Sequence, residues 1–295
     1  MENAHFRDEF PESLYYQTKA LGHSGAHDLL TRCPEFMRYN NVAFNPAAPE
    51  RSRRDQEFGT AAHLMLFRPT QWQDRIVVID APNYMKKDAQ GLRDAARLNG
   101  QTPILADEQG ELVNMMHAIA DHPIAGPLIR DGISERSYFW TDPATSVPLK
   151  ARPDFICAGG DRIVDYKTTT NAHPSAFQRR MWDMGHYLQD PWYCEGLHAV
   201  SGVTVREFWY IVQEVDPPYL VTVMRLSESA RLRAYERMGE AIKMFAATFA
   251  MPPNRWSGYS TLREGFGPFT VDLPRFAEYA LTEQDVEREM MERDR

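Results

Sequence analysis

Cysteine is scarce: only Cys33, Cys157 and Cys194 occur in 295 residues. An odd, widely spaced set excludes a disulfide framework and a four-cysteine zinc site. Long apolar runs are missing as well. Nothing approaches the roughly 20 residues that a membrane helix needs, so no membrane partner is expected. The first ten residues are polar and acidic and lack the basic start and apolar block of a secretion signal, which makes the cytoplasm the expected location. Positive charge is in short supply, with 33 Lys and Arg against 41 Asp and Glu and a net charge of −8. The broad basic footprint of many nucleic-acid binders is therefore absent. A local basic groove, or a bound metal, can still supply positive charge where the whole chain does not. Internal repeats and linker-like stretches are lacking too. At 43% hydrophobic and 25% charged, the composition is that of a globular protein. The reading is one domain over 1–295, with an N-terminal arm (about 1–20), a peripheral insertion (about 81–130) and a C-terminal helical extension (about 227–295).

What is present centres on residues 147–168. Gly159-Gly160 supplies the positive φ of a two-residue hairpin loop, flanked by strand-like runs. With that loop, Asp154 lies opposite Asp165, and Arg152 opposite Lys167. Alternation puts Lys150, Arg152, Asp154, Ile163, Asp165 and Lys167 on one face. Phe155, Cys157, Val164 and Tyr166 share the other, the natural core face. Directly opposed residues have Cβ atoms about 4.5–5.5 Å apart. Two carboxylates that close repel unless a proton or a divalent cation intervenes. Mg²⁺ takes oxygen ligands and keeps several waters, so two carboxylates suffice as protein ligands. Lys167 projects to the same side, where a phosphate would meet both cation and ammonium. Pro153 fits such a strand only with its missing N–H turned away from the ladder.

Elsewhere, Ser24 reads as the cap of a helix that Cys33-Pro34 interrupts. Residues 40–54 read as a loop whose Arg51, Arg53 and Arg54 offer a phosphate contact or a solvated cluster. Phe58 to Phe67 is an apolar helix on which small Gly59 and Ala62 permit close approach to a sheet. His63 on that helix is by pattern either a satisfied core histidine or a ligand. Residues 134–140 alternate as one strand carrying Glu135, either a support for the metal site or a solvated strand end. Gln189 and Tyr193 share a helix face. Pro191 between them either kinks the helix or starts it afresh behind Asp190. Residues 207–215 and 219–226 form a second hairpin. Ser227 caps a long helix to about Phe249, with Ala230, Ala234, Met238, Ile242 and Phe245 in register. A charged helix, residues 283–293, lies near the end.

Asp154 followed by Asp165-Tyr166-Lys167 resembles the catalytic signature of the PD-(D/E)XK nucleases. The wording of residues 150–156 and 163–169 is similar to the RecE (exonuclease VIII) and RecB-nuclease branch. Ser24 with Cys33-Pro34-x-Phe36, Gly59-Thr60-Ala61-x-His63 and Gln189-x₃-Tyr193 resemble three further motifs of that branch, in the same order. The resemblance covers roughly residues 20–260. It implies an α/β fold of the restriction-endonuclease type, a central mixed sheet flanked by helices. His63, Asp154, Asp165 and the Tyr166 carbonyl would hold Mg²⁺ or Mn²⁺, the latter better suited to a mixed nitrogen and oxygen site. Lys167 would be catalytic, and Gln189 and Tyr193 would position the phosphate. Glu135, Arg152, Arg53 and Arg54 stand second. Some relatives complete an iron–sulfur cluster with a cysteine matching Cys33 and three near the C-terminus. Residues 195–295 contain none, so no cluster is expected and Cys33 reads as a packing residue. The implied activity is 5′→3′ digestion of duplex DNA ends by a ring-shaped homo-oligomer working with a single-strand-annealing recombinase. The alternatives are another nuclease of the superfamily, of RecB or CRISPR-adaptation type, and an inactive DNA-end or protein-binding module.

Overall fold

A computed structural model describes residues 4–49 and 54–259. The chain divides into two compact units, Met1–Trp256 and Ser257–Arg295, and the fold described here is that of the first. The helix expected over 283–293 lies outside the described residues.

The N-terminal arm is folded rather than loose. β1 (His5–Arg7) and α1 (Glu12–Gln17) come first, and Tyr15 is buried. α2 (His23–Thr31) begins one residue before Ser24, with Gly22 at its cap, so Ser24 sits inside the first turn. α3 (Pro34–Asn40) starts on the proline that ends α2, with extended Cys33 before it. Proline suits a first helical position because the N–H it lacks would have no partner there. α4 (Arg54–Phe67) and the short α5 (Trp72–Arg75) follow. β2 (Ile76–Ile79), α6 (Lys87–Leu98), β3 (Thr102–Leu105), α7 (Ala106–Asp121) and α8 (Ala125–Leu128) occupy the segment expected at the periphery. That segment also enters the core: Leu112, Met115 and Ile119 of α7 are fully buried.

The stretch expected as one strand over 134–140 is two, β4 (Gly132–Ser134) and β5 (Ser137–Thr141). Glu135 between them has φ 47°, the left-handed conformation that redirects the chain. The hairpin is likewise divided. β6 (Pro148–Ala151) pairs with β5, whereas β7 (Phe155–Cys157) pairs with β8 (Arg162–Thr169). Arg152 and Pro153 are the break, because proline cannot donate to a ladder. The pairing Phe155↔Val164 keeps the expected register. Lys150 and Arg152 have left it, so Arg152 does not oppose Lys167.

α9 (Pro174–Asp183), α10 (Gln189–Ser201), β9 (Glu207–Glu214), β10 (Val221–Met224) and α11 (Glu228–Phe249) complete the unit. Ser227 Oγ accepts the Ala230 N–H as the cap of α11. Ala234, Met238, Ile242 and Phe245 face the core as the spacing predicts, while Ala230 at the cap is exposed. α10 starts at Gln189, which puts Pro191 in its first turn. Backbone N–H groups there have no helical partner, so Pro191 neither kinks nor restarts the helix.

The central sheet has the order β10-β9-β8-β7-β4, and β1-β5-β6 forms a smaller one. β8 and β9 run parallel while their outer neighbours are antiparallel, which makes the central sheet mixed. Both its faces are covered. Phe155, Val164, Tyr166 and Ile211 pack with Ala61, Ala62, Met115 and Ile119 of α4 and α7. On the opposite face, Ile163, Phe208 and Tyr210 pack with Leu188, Trp192 and Phe245. Each large side chain so buried contributes about 1.5–3 kcal/mol. Asp165 stands on that second face, and its burial is a consequence of the packing around it.

Candidate active site

His63 reaches the sheet because the helical turn before it carries only small residues there, while Phe67 one turn later packs on Phe155. A Cβ on Gly59 would lie 3.4 Å from Thr168 Oγ1, and Ala61 and Ala62 are fully buried. His63 Nδ1 stands 3.5 Å from Asp154 Oδ2, and its ring centroid is 5.1 Å from that of Tyr166. Burial, aided by the Lys167 charge, pushes His63 down to about 4 against the pull of Asp165 and Glu135. The imidazole is neutral at pH 7, so its contact with Asp154 is no ion pair and it keeps a lone pair for a ligand.

Asp154 lies at the start of β7. Its Oδ2 accepts the Tyr166 N–H at 2.8 Å. In the β7–β8 register Tyr166 would face Pro153, which has no N–H to return to the Tyr166 carbonyl. One ladder position is thereby taken over by a carboxylate. Burial pushes Asp154 up to about 6, with Lys167 and the Tyr166 N–H pulling it down and Glu135 adding to the rise.

Asp165 is inaccessible to solvent. Its Oδ2 pairs with the Lys167 ammonium, and its Oδ1 accepts from Gln189 Nε2 at 2.7 Å. Burial and then the Asp154 charge push it up to about 7, and Lys167 acts against both. Burial works against the Lys167 ammonium in turn, but Asp165 and Asp154 outweigh it and the net shift is upward. Gln189 Nε2 also lies 3.3 Å from Tyr193 Oη. Gln189 Oε1 is buried without a hydrogen-bond partner among the described residues.

The second-tier residues separate. Glu135 joins the site: its N–H donates to the Asp154 carbonyl at 3.0 Å, and its carboxylate lies 3.4 Å from Arg68 Nε. Arg152 is turned away from the acids. It donates to Ser137 Oγ and the Phe10 carbonyl at 2.9 and 2.8 Å and lies over the Tyr15 ring. Arg53 lies outside the described residues, and Arg54 opens α4 with its side chain undescribed. Arg68, just past α4, and His23, whose Nδ1 lies 3.2 Å from Tyr193 Oη, are site residues that the sequence reading missed. Their signal was adjacency alone: His23 precedes Ser24, and Arg68 follows the His63 helix.

The site straddles the sheet. His63 comes from α4 on one face, Gln189 and Tyr193 from α10 on the other, and the two acids meet where β7 begins. Among the described residues, no three His, Cys, Asp or Glu side chains stand in ready-made metal-ligand geometry. Asp165 is engaged by Lys167 and Gln189, and Asp154 by Tyr166. The donor set nonetheless fits a divalent cation. It offers a neutral imidazole, two carboxylates and a carbonyl that Pro153 leaves without a ladder donor. Both acids are held above their usual range by burial, the condition that a bound positive charge relieves.

A mixed sheet that carries Asp165 and Lys167 on its central strand β8, with Asp154 beside them at the start of β7, defines a protein of the PD-(D/E)XK type. Consistent with that class, residues 29–250 match the family model described as a PDDEXK-like domain of unknown function (DUF3799), and the chain belongs to this family. Among solved structures, it is similar to a crystal structure from Eubacterium rectale named "Putative exonuclease". The TM-score is 0.56 at 10% identity, covering 90% of this chain and 97% of that one. At that identity the likeness is one of fold. A search of curated proteins finds no match. No helix among the described residues is long and apolar enough to cross a membrane.

Proposed function

We propose that this protein is a metal-dependent deoxyribonuclease that degrades linear duplex DNA from its ends. The observation that carries the reading is the buried Asp165–Lys167 pair beside Asp154 and His63. Holding a fully buried carboxylate against a largely buried ammonium costs the fold, and groups perturbed in this way cluster at functional sites. The family supports a nuclease. The 5′→3′ polarity, the ring-shaped homo-oligomer and the recombinase partner rest on the RecE-like motif order.

In this reading His63, Asp154, Asp165 and the Tyr166 carbonyl hold Mg²⁺ or Mn²⁺. When bound, the ion supplies a water of lowered pKa and positive charge for the phosphate. Lys167 offers N–H donors to the attacking water or to a phosphate oxygen as negative charge develops there. Glu135, anchored by Arg68, sets the field at His63 and Asp154. Gln189 fixes the Asp165 carboxylate. Substrate, rather than the metal-free chain, supplies the last partners of this site.

The test is digestion of end-labelled linear duplex with Mg²⁺ or Mn²⁺, alongside a covalently closed circle. Release of label from the linear substrate, with the circle left intact, supports the assignment and gives polarity. Efficient nicking of the circle makes the protein an endonuclease. Absence of cleavage on every duplex, with binding retained, makes it a DNA-end-binding module on this fold.

A further inference from the structure

A continuous hydrogen-bond chain runs from the buried Asp165 carboxylate to the start of α2. Gln189 Nε2 lies 2.7 Å from Asp165 Oδ1 and 3.3 Å from Tyr193 Oη. Tyr193 Oη lies 3.2 Å from His23 Nδ1. His23 Nε2 lies 3.1 Å from Ser24 Oγ, on a residue exposed to solvent. The His23 and Tyr193 rings meet edge to face at 5.4 Å.

The donor inventory orders the hydrogens along this chain. Asp165 Oδ1 can only accept when ionised, so the Gln189 amide turns its nitrogen to it, and its second N–H is the one facing Tyr193. The Tyr193 hydroxyl accepts that N–H and has one hydrogen of its own to place. His23 Nδ1 takes it, provided that the ring is neutral and carries its hydrogen on Nε2. Nε2 then donates to Ser24 Oγ. In the opposite tautomer two donors would point at Tyr193, and its hydroxyl hydrogen would have no acceptor along the chain. Burial keeps His23 neutral, with its pKa lowered to about 3, in agreement with this order.

We infer that His23 is a positioning residue that, through Tyr193 and Gln189, fixes the Asp165 carboxylate in its place on the central strand β8. Both Gln189 N–H groups and the Tyr193 hydroxyl hydrogen are committed within the chain of bonds. In this arrangement neither residue has a donor left for a phosphate. Their contribution falls on Asp165, hence on metal affinity and turnover, and not on DNA affinity. The role rests on the nuclease reading. The hydrogen order does not, and it is read separately.

Three measurements on the intact chain test it. Nitrogen-15 shifts of the imidazoles at pH 8.5, where Asp165 is ionised without metal, should show His23 as the neutral Nε2–H tautomer. An Nδ1–H tautomer or a charged ring overturns the proposal whether or not the protein cleaves DNA. His23→Leu should weaken Mn²⁺ binding in titration calorimetry and lower kcat by about tenfold, with the KM for duplex within twofold of the parent. His23→Asn, which keeps an acceptor near the Nδ1 position, should recover most of both. In a Tyr193→Phe background His23→Leu should cause no further loss, since residues in one network couple. A fully additive loss, or a rise in KM with kcat unchanged, overturns the proposal. Loss of fold in His23→Leu would show as a lowered melting temperature, and Tyr193→Phe, which cuts the same chain of bonds and should lower Mn²⁺ affinity and kcat without raising KM, then carries the test.

Discussion

The carboxylate of Asp154 occupies the place of a backbone acceptor for Tyr166, taking its N–H at 2.8 Å. One side chain is therefore both a proposed metal ligand and the end of a β-ladder, and substitutions can separate the two tasks. Asp154→Asn keeps an oxygen for the Tyr166 N–H while halving the carboxylate's ligand capacity and removing its charge. It should fold like the parent and fail to bind Mn²⁺ or cleave. Asp154→Ala leaves the N–H unpaired in a largely buried position, at a cost of about 1–3 kcal/mol. Thermal denaturation and calorimetry on the two variants check this. Equal melting temperatures for Asn and Ala would remove the ladder role, and parental Mn²⁺ affinity in Asp154→Asn would remove the ligand role.

Acidification should silence the site before it unfolds the protein. Burial holds Asp165 at about 7 and Asp154 at about 6. As pH falls through that window both ligands take up protons and lose the charge that attracts a cation. Metal and proton compete for the same oxygens. Cleavage should therefore drop as pH falls from about 7 to about 6, and the midpoint should move to lower pH as Mn²⁺ is raised. A midpoint independent of metal concentration would place the titrating group elsewhere.

Much of this site was legible because its chemistry is packed into short sequence. Asp165-Tyr166-Lys167, the Gly159-Gly160 turn and the small residues before His63 each carry local meaning, and the register they predict is present in Phe155↔Val164. The reading failed where long-range contacts decide. It extended the hairpin through Pro153, although β6 finds its partner in β5. Arg152 was placed beside Lys167, yet Phe10 and Tyr15 of the arm hold it elsewhere. The arm itself, acidic and proline-interrupted, gave no sign that Tyr15 would be buried or that Lys150 Nζ would donate to the Tyr15 carbonyl at 2.7 Å. His23 has no periodic or motif signal, and only the fold brings it to Tyr193.

Partly buried histidines should make the fold sensitive to acid. Burial lowers His186 to about 2 and His23 to about 3. These folded values lie below the unfolded value of about 6.5. The stability tied to the neutral rings is thus fully present above about 6.5 and is lost as pH falls through the window toward the folded values. Asp154 and Asp165 act in the opposite direction, because their folded values are raised and acid favours the folded form there. Replacing His186, which stacks on Phe177 at 6.0 Å, by Phe removes one proton acceptor without removing the ring. The melting temperature of the metal-free His186→Phe variant should fall less between pH 6.5 and pH 4 than that of the parent. An identical slope would show that His186 is not protonated on unfolding in this range.

Asp165 and Lys167 should fail in different ways, and the structure adds a stability term to each. Asp165→Asn keeps one oxygen, which serves Gln189 or Lys167 but not both, and relieves the repulsion from Asp154, leaving Asp154 as the remaining counter-charge of Lys167. It should lose Mn²⁺ affinity and cleavage, with a smaller loss of metal-free stability than Lys167→Ala. Lys167→Ala removes the cation from a carboxylate that is fully buried, and breaking such a pair costs about 3–5 kcal/mol. The cost should shrink as pH falls below about 7, because Asp165 then escapes the lone charge by taking up a proton. Metal binding should survive in Lys167→Ala and be lost in Asp165→Asn when the two are compared by calorimetry, whereas cleavage should be lost in both. Adding Asp165→Asn to Lys167→Ala should restore stability, since the buried charge that the first substitution stranded is gone. Denaturation of the single and double variants at pH 6 and pH 8 decides the matter. If Lys167→Ala is as stable as the parent at pH 8, or if the double variant is the least stable of the three, the buried pair does not have the role assigned to it.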